Sequence, residues 1–239
     1  MLRIAFISDI HGNAVALESV LADIEKKQVD EVYVLGDIAY RGPEPKKSIQ
    51  LVQSLQTEVL KGNADEWIVR GVRQGEVPAA AFHMMNEERE WIVSKLDKKD
   101  IHYLDGLKKE LTLDIEGMKI HAFHATPSSL FDVVLPGVTD GVVKNRLMQK
   151  EDADIYIYAH IHKPFIKYLE GKIVINTGSV GLPFDGVRKA SYAVVEINDG
   201  SLSTSIERVS YDYEKVIKQF EELQYPNKKM RDVIRNAQV

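Results

Sequence analysis

Cysteine is absent from this sequence of 239 residues. Its absence excludes disulfide bonds, thiolate metal ligands and cysteine nucleophiles, and it fits the reducing cytoplasm, where we expect the protein to reside. Long apolar runs are also absent: none approaches the ~20 residues that a membrane-spanning helix needs, and the chain becomes polar after Ile7, too soon for a signal peptide. With 31 basic and 36 acidic residues, the chain lacks the excess of positive charge typical of proteins that bind nucleic acids or anionic membranes.

The composition is that of a folded protein, because 44% of the residues are hydrophobic and 28% are charged. We predict one domain over residues 1–239. Residues 64–105 have helical patterns and are expected to form an insertion over the site. Residues 210–239 are expected to form C-terminal helices.

The first sixty residues alternate predicted strands and helices. Apolar runs at residues 2–7, 31–35 and 58–60 indicate strands, and helices are expected after Asn13, which can cap the first of them, and from Pro45. This alternation favours parallel strands with ligands beyond their carboxyl ends. Later hairpins are indicated at residues 111–123 and at 190–209, where the turn falls on 198–200. The pattern predicts a layered α/β sandwich whose first half is parallel and whose second half is rich in antiparallel hairpins.

Five short polar clusters each follow the end of an apolar run. Asp9 and His11 stand two residues apart, as do His160 and His162, and in an extended segment this spacing places both side chains on one side. Oxygen and imidazole donors without thiolates suit divalent metal ions. We expect two ions, Mn or Fe, with Zn, Ni and Co as alternatives. The candidate metal ligands are Asp9, His11, Asp37, Asn63, His124, His160 and His162.

Two adjacent metal ions of this kind hydrolyse phosphate esters, since they polarise phosphoryl oxygens and lower the pKa of a bridging water. The hydroxide would attack phosphorus in line with the leaving oxygen. Each cluster alone has a simpler interpretation, as a turn or as a hydrogen-bonded histidine. Their conjunction in this order favours a metal centre.

The motifs Asp9-x-His11, Gly36-Asp37-x-x-x-Arg41-Gly42, Gly62-Asn63, His124 and His160-x-His162 resemble those of the calcineurin-like metallophosphoesterase superfamily, from about residue 4 to residue 179. The resemblance implies a four-layer α/β/β/α sandwich with mixed sheets. It implies that Asp37 bridges two metal ions and acts in catalysis with Asn63 and His124. One ion would take Asp9, His11, Asp37 and His162, and the other would take Asp37, Asn63, His124 and His160.

One motif departs from the family, because Ala64 stands where Gly-Asn-His-Asp has its histidine. That histidine assists the leaving group, and general acids contribute typically about 10²–10⁴-fold. Its loss favours phosphodiesters or phosphoanhydrides over alkyl monoesters. The chain is also similar to a bacterial branch that includes diadenosine polyphosphate hydrolases. A small nucleotide-like substrate is therefore expected, with diadenosine tetraphosphate as a candidate.

Four residues outside the ligand set are candidates for substrate binding: Arg41, Arg73, Asn176 and Ser179. Arg41 can present a bidentate fork to a phosphate or pair with a local carboxylate. Asn176 and Ser179 lie in a loop that resembles the family's Asn-Pro-Gly-Ser, with Thr177 in place of proline. His83 either replaces the missing acid or is an ordinary residue on the surface or in the core of a helix.

Two further functions stay open at this point. A phosphomonoesterase or protein phosphatase would prefer monoesters, which the change at Ala64 disfavours. A non-catalytic scaffold on the same fold would have lost metal ligands, whereas here every one is present. The C-terminal hairpin and helices can also pack against a second copy, so a homo-oligomer is an open alternative.

Overall fold

The computed structural model describes residues 1–198 and 200–238 of the chain. The strands are β1 Leu2–Ile7, β2 Glu31–Val34, β3 Glu110–Ile115, β4 Met118–Phe123, β5 Ile155–Tyr158, β6 Phe165–Leu169, β7 Lys172–Asn176, β8 Ala190–Asn198 and β9 Ser201–Val209. The helices are α1 Ala14–Lys26, α2 Pro45–Ser54, α3 Asn63–Arg70, α4 Ala79–Val93, α5 Lys98–Asp105, α6 Asp140–Leu147, α7 Tyr213–Glu222 and α8 Met230–Asn236.

The strands form two mixed sheets. The first has the order β2-β1-β8-β9 and the second the order β3-β4-β5-β7-β6. In the first sheet β1 runs parallel to β2 and antiparallel to β8. In the second sheet β4, β5 and β7 are parallel, and β3 and β6 are antiparallel edge strands.

Alternating side chains divide the core into three layers. Ile4 and Phe6 of β1 face the second sheet, whereas Ala5 and Ile7 face the helices on the other side. The outer face of the second sheet is covered by α6 and the loop before it. Helices therefore flank both sheets, as the predicted four-layer sandwich requires.

The predicted parallel first half and hairpin-rich second half are confirmed, since β1 and β2 are parallel and β3–β4, β6–β7 and β8–β9 are antiparallel hairpins. The pairing between the two halves was not predicted. The late strand β8 pairs with β1, and Ala193 lies opposite Phe6. This pairing joins distant parts of the chain, so no local pattern reveals it. The predicted strand at residues 58–60 is wrong: within the described residues the segment makes only isolated parallel bridges, from Val59 to Val34 and from Leu60 to Lys108.

The other predicted elements agree closely with the structure. Asn13 caps α1, because its side chain accepts a hydrogen bond from Ala16 N at 3.0 Å. Three helices, α3 to α5, occupy the region predicted to be helical, and α3 begins directly at Asn63. β8 and β9 form the predicted hairpin, although Asp199 in its turn lies outside the described residues. Within the described ranges, no helix combines the length and hydropathy needed to span a membrane.

Candidate metal centre

The predicted ligands lie on loops that follow four strands. Asp9 and His11 follow β1, Asp37 follows β2, His124 directly follows β4, and His160 and His162 follow β5. Asn63 is the first residue of α3. The carboxyl ends of strands from both sheets thus deliver polar side chains to one place, as expected for an α/β protein.

The first ligand group consists of Asp9, His11, Asp37 and His162, and it is buried. One donor atom from each lies within 4.8 Å of the others. His162 Nε2 is 3.1 Å from both Asp9 Oδ1 and His11 Nε2. His11 Nε2 is 3.5 Å from Asp37 Oδ2. These distances are compatible with four ligands around one ion.

The second ligand group lies on the other side of Asp37. Asn63 Oδ1 is 2.9 Å from His124 Nε2 and 2.8 Å from His160 Nδ1. His124 Nε2 lies 3.5 Å from Asp37 Oδ2, the same oxygen that faces His11. Asp37 therefore stands between the two groups, where a bridging carboxylate would stand.

The hydrogen bonds around the imidazoles fit a cation. His11 Nδ1 lies 2.9 Å from Tyr40 O and His162 Nδ1 lies 2.5 Å from Leu182 O, so each Nδ1 carries the proton and donates it. The two Nε2 atoms are then lone-pair acceptors that face each other at 3.1 Å. Asp9 Oδ1, in the same space, is buried without a hydrogen-bond donor in the described part of the chain. A buried cluster of acceptors is stabilised by a divalent cation, and backbone acceptors behind the histidines are typical of metal sites.

Burial favours the neutral form of two candidate ligands, His11 and His160. Burial lowers the pKa of His11 well below its usual range, and the charge of His162 adds to this effect. Burial, followed by the charge of His124, lowers the pKa of His160 to about 3. Neutral imidazole is the form that binds a metal, so the environment selects the ligand state.

The pKa values of the two candidate carboxylate ligands, Asp9 and Asp37, are shifted in opposite directions. Burial, and then the charges of Asp9 and Asp65, raise the pKa of Asp37 well above its usual range. Burial would also raise the pKa of Asp9, but the positive charge that the neighbouring histidines carry when protonated, that of His162 first, overcomes it and leaves the pKa lowered. Carboxylates this close cannot both ionise easily without a cation, and a divalent ion would reverse the effect on Asp37.

The prediction of extended ligand segments is wrong. Asp9 and His11 have φ of 51° and 49°, and His160 and His162 have φ of 69° and 55°, which is left-handed backbone. Asp37 has a φ of 57°. Such residues cost about 1–3 kcal/mol each and persist where surrounding contacts enforce them. The side chains therefore converge because the loops turn sharply, and not because the segments are extended.

Backbone hydrogen bonds between the first two loops enforce these turns. Asp9 N donates to Gly36 O at 3.0 Å, and His11 N donates to Asp37 O at 2.9 Å. The loops approach so closely that a Cβ on Gly62 would lie 2.0 Å from Asp37 Oδ1. Glycine at position 62 is thus required by the packing of the ligand loops.

Asp65 holds two of these loops, a role that the sequence reasoning missed. Its buried carboxylate accepts hydrogen bonds from Asp37 N at 2.7 Å, Ile38 N at 2.9 Å and Gly62 N at 2.8 Å. An acidic residue at the third position of a helix that begins after a strand is a recognisable signal for such a contact. Asp65 connects the loop of Asp37 to the start of α3, which carries Asn63.

Ser8 and Thr177 position Asp9 and were also missed. Ser8 Oγ donates to Asp9 Oδ2 at 2.7 Å, and Thr177 Oγ1 lies 2.7 Å from Ser8 Oγ. Since the Ser8 proton is used towards Asp9, Thr177 donates to Ser8. The replacement of the family's proline by threonine thus adds a hydrogen bond behind a candidate ligand. Asp9 Oδ1 is left to face His162.

The predicted substrate-binding residues lie in different settings. Arg41 Nε is 3.7 Å from the buried carboxylate of Glu88, as the local-pairing alternative describes. Asn176 and Ser179 are buried, and their side chains donate to Ala159 O and Asp9 O, both at 2.7 Å. These partners favour a supporting role, and their contact with substrate stays a prediction.

Two further candidates lie on the protein surface. Arg73 is exposed in the loop between α3 and α4, and its substrate-binding role also stays a prediction. His83 is exposed on α4, in agreement with the helix-surface alternative. Neither residue belongs to the ligand groups described above.

Comparison with known proteins agrees with this geometry. The model of the calcineurin-like phosphoesterase superfamily domain matches residues 2–200. An uncharacterized protein of Methanocaldococcus jannaschii is 30% identical over 237 residues, covering 90% of this chain and 92% of that protein. A metallophosphoesterase structure from Sphaerobacter thermophilus has a TM-score of 0.80 at 24% identity, with 99% of both chains covered. A hypothetical protein of Pyrococcus horikoshii has a TM-score of 0.86 at 20% identity, with 98% of both chains covered. The two structures confirm the predicted fold.

Proposed function

The chain belongs to the calcineurin-like phosphoesterase superfamily, and from this premise we propose that it is a phosphodiesterase or phosphoanhydride hydrolase that uses two metal ions on a small nucleotide-like substrate. Family membership and the buried Asp/His cluster make it a metal-dependent phosphoric ester hydrolase. The number of ions, the preferred ester and the nucleotide character of the substrate are the proposed part.

The observation that carries the proposal is the position of Asp37. Its Oδ2 atom lies 3.5 Å from a histidine of each ligand group. A carboxylate oxygen shared in this way is what two adjacent cations need as a bridge. Two-metal sites of this kind act on phosphate esters by in-line displacement.

Side chains and backbone carbonyls of the protein would hold and orient the metal ions. When bound, divalent ions polarise phosphoryl oxygens and supply a nucleophile from water at neutral pH. The backbone carbonyls of Tyr40 and Leu182 fix the orientation of the imidazoles that would hold the first ion, because they accept the Nδ1 protons. Asn63 would complete the second ligand set with a neutral oxygen, which leaves that side of the centre with less negative charge. The ligands for the first ion would be Asp9, His11, Asp37 and His162, and for the second Asp37, Asn63, His124 and His160.

The residue at position 64, where the family has the histidine that assists the leaving group, favours diesters and anhydrides as substrates. Ala64 is buried, its N–H donates to Asp37 Oδ1 at 2.7 Å, and its methyl group belongs to the apolar cluster that includes Trp67. A methyl group cannot protonate a leaving oxygen. Substrates whose leaving group is an activated phenol or a phosphate need this assistance least. Diadenosine tetraphosphate is a specific candidate of the second kind.

The proposal is tested with purified protein loaded in turn with Mn²⁺, Fe²⁺, Zn²⁺, Ni²⁺ and Co²⁺. We expect faster turnover of bis(p-nitrophenyl) phosphate than of p-nitrophenyl phosphate, with Mn²⁺ or Fe²⁺ as the best ion. Asp37→Asn should remove the activity, because it removes the shared ligand. Asp152→Asn is the matched control, since the side chain of Asp152 is 92% exposed. Faster monoester turnover would overturn the substrate preference, and no turnover with any ion would favour a non-catalytic scaffold.

Two statements about the whole protein are part of the proposal. We propose that residues 1–239 form one domain in which residues 64–105 cover the site. We also propose a cytoplasmic location. Limited proteolysis with and without metal tests the first statement, and fractionation of the native cells tests the second.

A further inference from the structure

A groove runs beside the candidate metal centre, between the loop at residues 182–184 and residues 226–238, which we call the C-terminal segment. Its volume is about 580 Å³. A second cavity of about 630 Å³ adjoins it below α4. Arg41, Asn227 and Lys229 line both cavities, so they stand at the junction. No residue of the ligand set lines this space, and of the family motifs only Arg41 does.

Residues of the groove wall contact the first ligand group. Phe184, on one wall, stacks on the ring of His162 with a centroid distance of 4.2 Å and an interplanar angle of 12°. Leu182, on the same wall, has its carbonyl oxygen 2.5 Å from His162 Nδ1. Arg41 directly follows Tyr40, whose carbonyl accepts from His11 Nδ1 at 2.9 Å. The wall of the groove therefore adjoins His11 and His162 of the first ligand group.

Positive side chains meet at the junction. Glu88, buried on α4, lies 3.7 Å from Arg41 Nε and also accepts a hydrogen bond from Tyr225 Oη at 3.1 Å. This carboxylate forms an ion pair with the guanidinium but no hydrogen bond to Nε, which has no hydrogen-bond acceptor among the described residues. Arginine has five N–H donors, so one nearby carboxylate leaves donors for a second anion. Lys229 is exposed at the same junction, and the lining of the groove includes one acidic residue, Asp232, whose carboxylate pairs with Arg235.

Apolar surface flanks the positive junction on both sides. Leu182, Phe184, Met230 and Val233 contribute to the first cavity. Ala81, Met84, Met85 and Pro226 contribute to the second. Cavities of about 300–1,000 Å³ that combine apolar walls with a few polar groups are typical sites for small organic ligands. The ligand that fits is an anion with a flat, apolar part attached.

We propose that this groove binds a nucleoside phosphate, namely the part of the substrate that is not attacked. Its phosphate groups contact Arg41 and Lys229, and its base packs against an apolar wall. The inference rests on the proposed function, because it assigns the substrate class of the same site. The C-terminal segment is then a specificity element of the enzyme.

Competition experiments with the full-length protein test this assignment. The rate measured is p-nitrophenol release from bis(p-nitrophenyl) phosphate at a fixed concentration of free Mn²⁺, so that chelation by the competitors has no effect. The competitors are ATP, tripolyphosphate and adenosine. Lys229→Ala is compared with Lys215→Ala, which removes an exposed lysine on α7.

We expect ATP to compete more strongly than either tripolyphosphate or adenosine. Loss of one exposed phosphate contact should raise the inhibition constant of ATP about fivefold in Lys229→Ala, and Lys215→Ala should match the wild type. Equal competition by tripolyphosphate would overturn the nucleoside assignment. An unchanged constant in Lys229→Ala would overturn the role of the groove. Both outcomes differ from failure of the proposed function, in which the wild type does not hydrolyse the diester.

Discussion

Asp65 offers the sharpest test of how the ligand loops are held. Its Oδ2 atom accepts from Asp37 N and Gly62 N, and its Oδ1 atom accepts from Ile38 N. In Asp65→Asn an amide NH₂ replaces one oxygen and cannot accept. The best orientation of the amide loses the single bond at Ile38, and the other orientation loses two bonds and places donors against donors.

The magnitude follows from these bonds. A hydrogen bond to a charged group contributes about 1.5–3 kcal/mol, so one or two losses cost about 1.5–6 kcal/mol before compensation. Burial raises the pKa of Asp65, so burying its carboxylate costs free energy, and a neutral amide recovers part of that cost. We expect a net loss of about 2–3 kcal/mol in the free energy of unfolding. Changes behind metal ligands typically weaken metal affinity about 10–100-fold, and we expect the same range here.

Urea unfolding of the metal-loaded protein and a metal competition titration measure the two effects. Asp100→Asn is the matched control, since Asp100 is a buried acid at the same position of α5 but, among the described residues, accepts a hydrogen bond only from Asp97 N, at 2.8 Å. It should lose about 0.5–1.5 kcal/mol and keep its metal affinity. If Asp65→Asn equals Asp100→Asn in both measurements, then Asp65 does not hold the centre.

Three further predictions concern the metal, the Asp9 support and pH. Chelation should lower the melting temperature, and saturating Mn²⁺ at 100 times its dissociation constant should restore about 2.7 kcal/mol, as thermal unfolding with and without EDTA will show. Thr177→Val should lower the free energy of unfolding by about 0.5–1.5 kcal/mol and weaken metal binding in a titration, because it breaks the hydrogen bonds that connect Thr177, Ser8 and Asp9. Thr177→Ser keeps the hydroxyl and should therefore keep both the stability and the metal affinity. Burial lowers the pKa of His121 despite its partner Glu110, so its contribution to stability is complete above the unfolded pKa of about 6.5 and is lost as the pH falls below it. His121→Phe should therefore reduce the change in the urea unfolding midpoint between pH 7 and pH 5. An unchanged pH dependence would contradict the role of His121.

The sequence predicted the position of the ligands better than their geometry. Strand ends are encoded locally by apolar runs, so the convergence of Asp9, Asp37 and His124 at one edge could be expected. The left-handed backbone at the ligand positions could not, because it arises from contacts between loops that are distant in sequence. The pairing of β8 with β1 and the bonds of Asp65 are non-local for the same reason. Arg41 shows the limit most clearly, since its partner Glu88 lies on a helix 47 positions further along the chain.

The supports of the metal centre and the walls of the proposed groove belong to different parts of the molecule. Ser8, Asp65 and Thr177 are buried within residues 2–200, the region that the family model matches. Lys229 and Met230, on the groove wall, lie beyond it. If the groove binds substrate as proposed, changes in residues 226–238 would alter which phosphate compound is bound without disturbing the ligand loops. In this view the family motifs determine the chemistry, and residues 226–238 determine the substrate, so substrate preference among relatives should follow the C-terminal segment more closely than it follows the metal ligands.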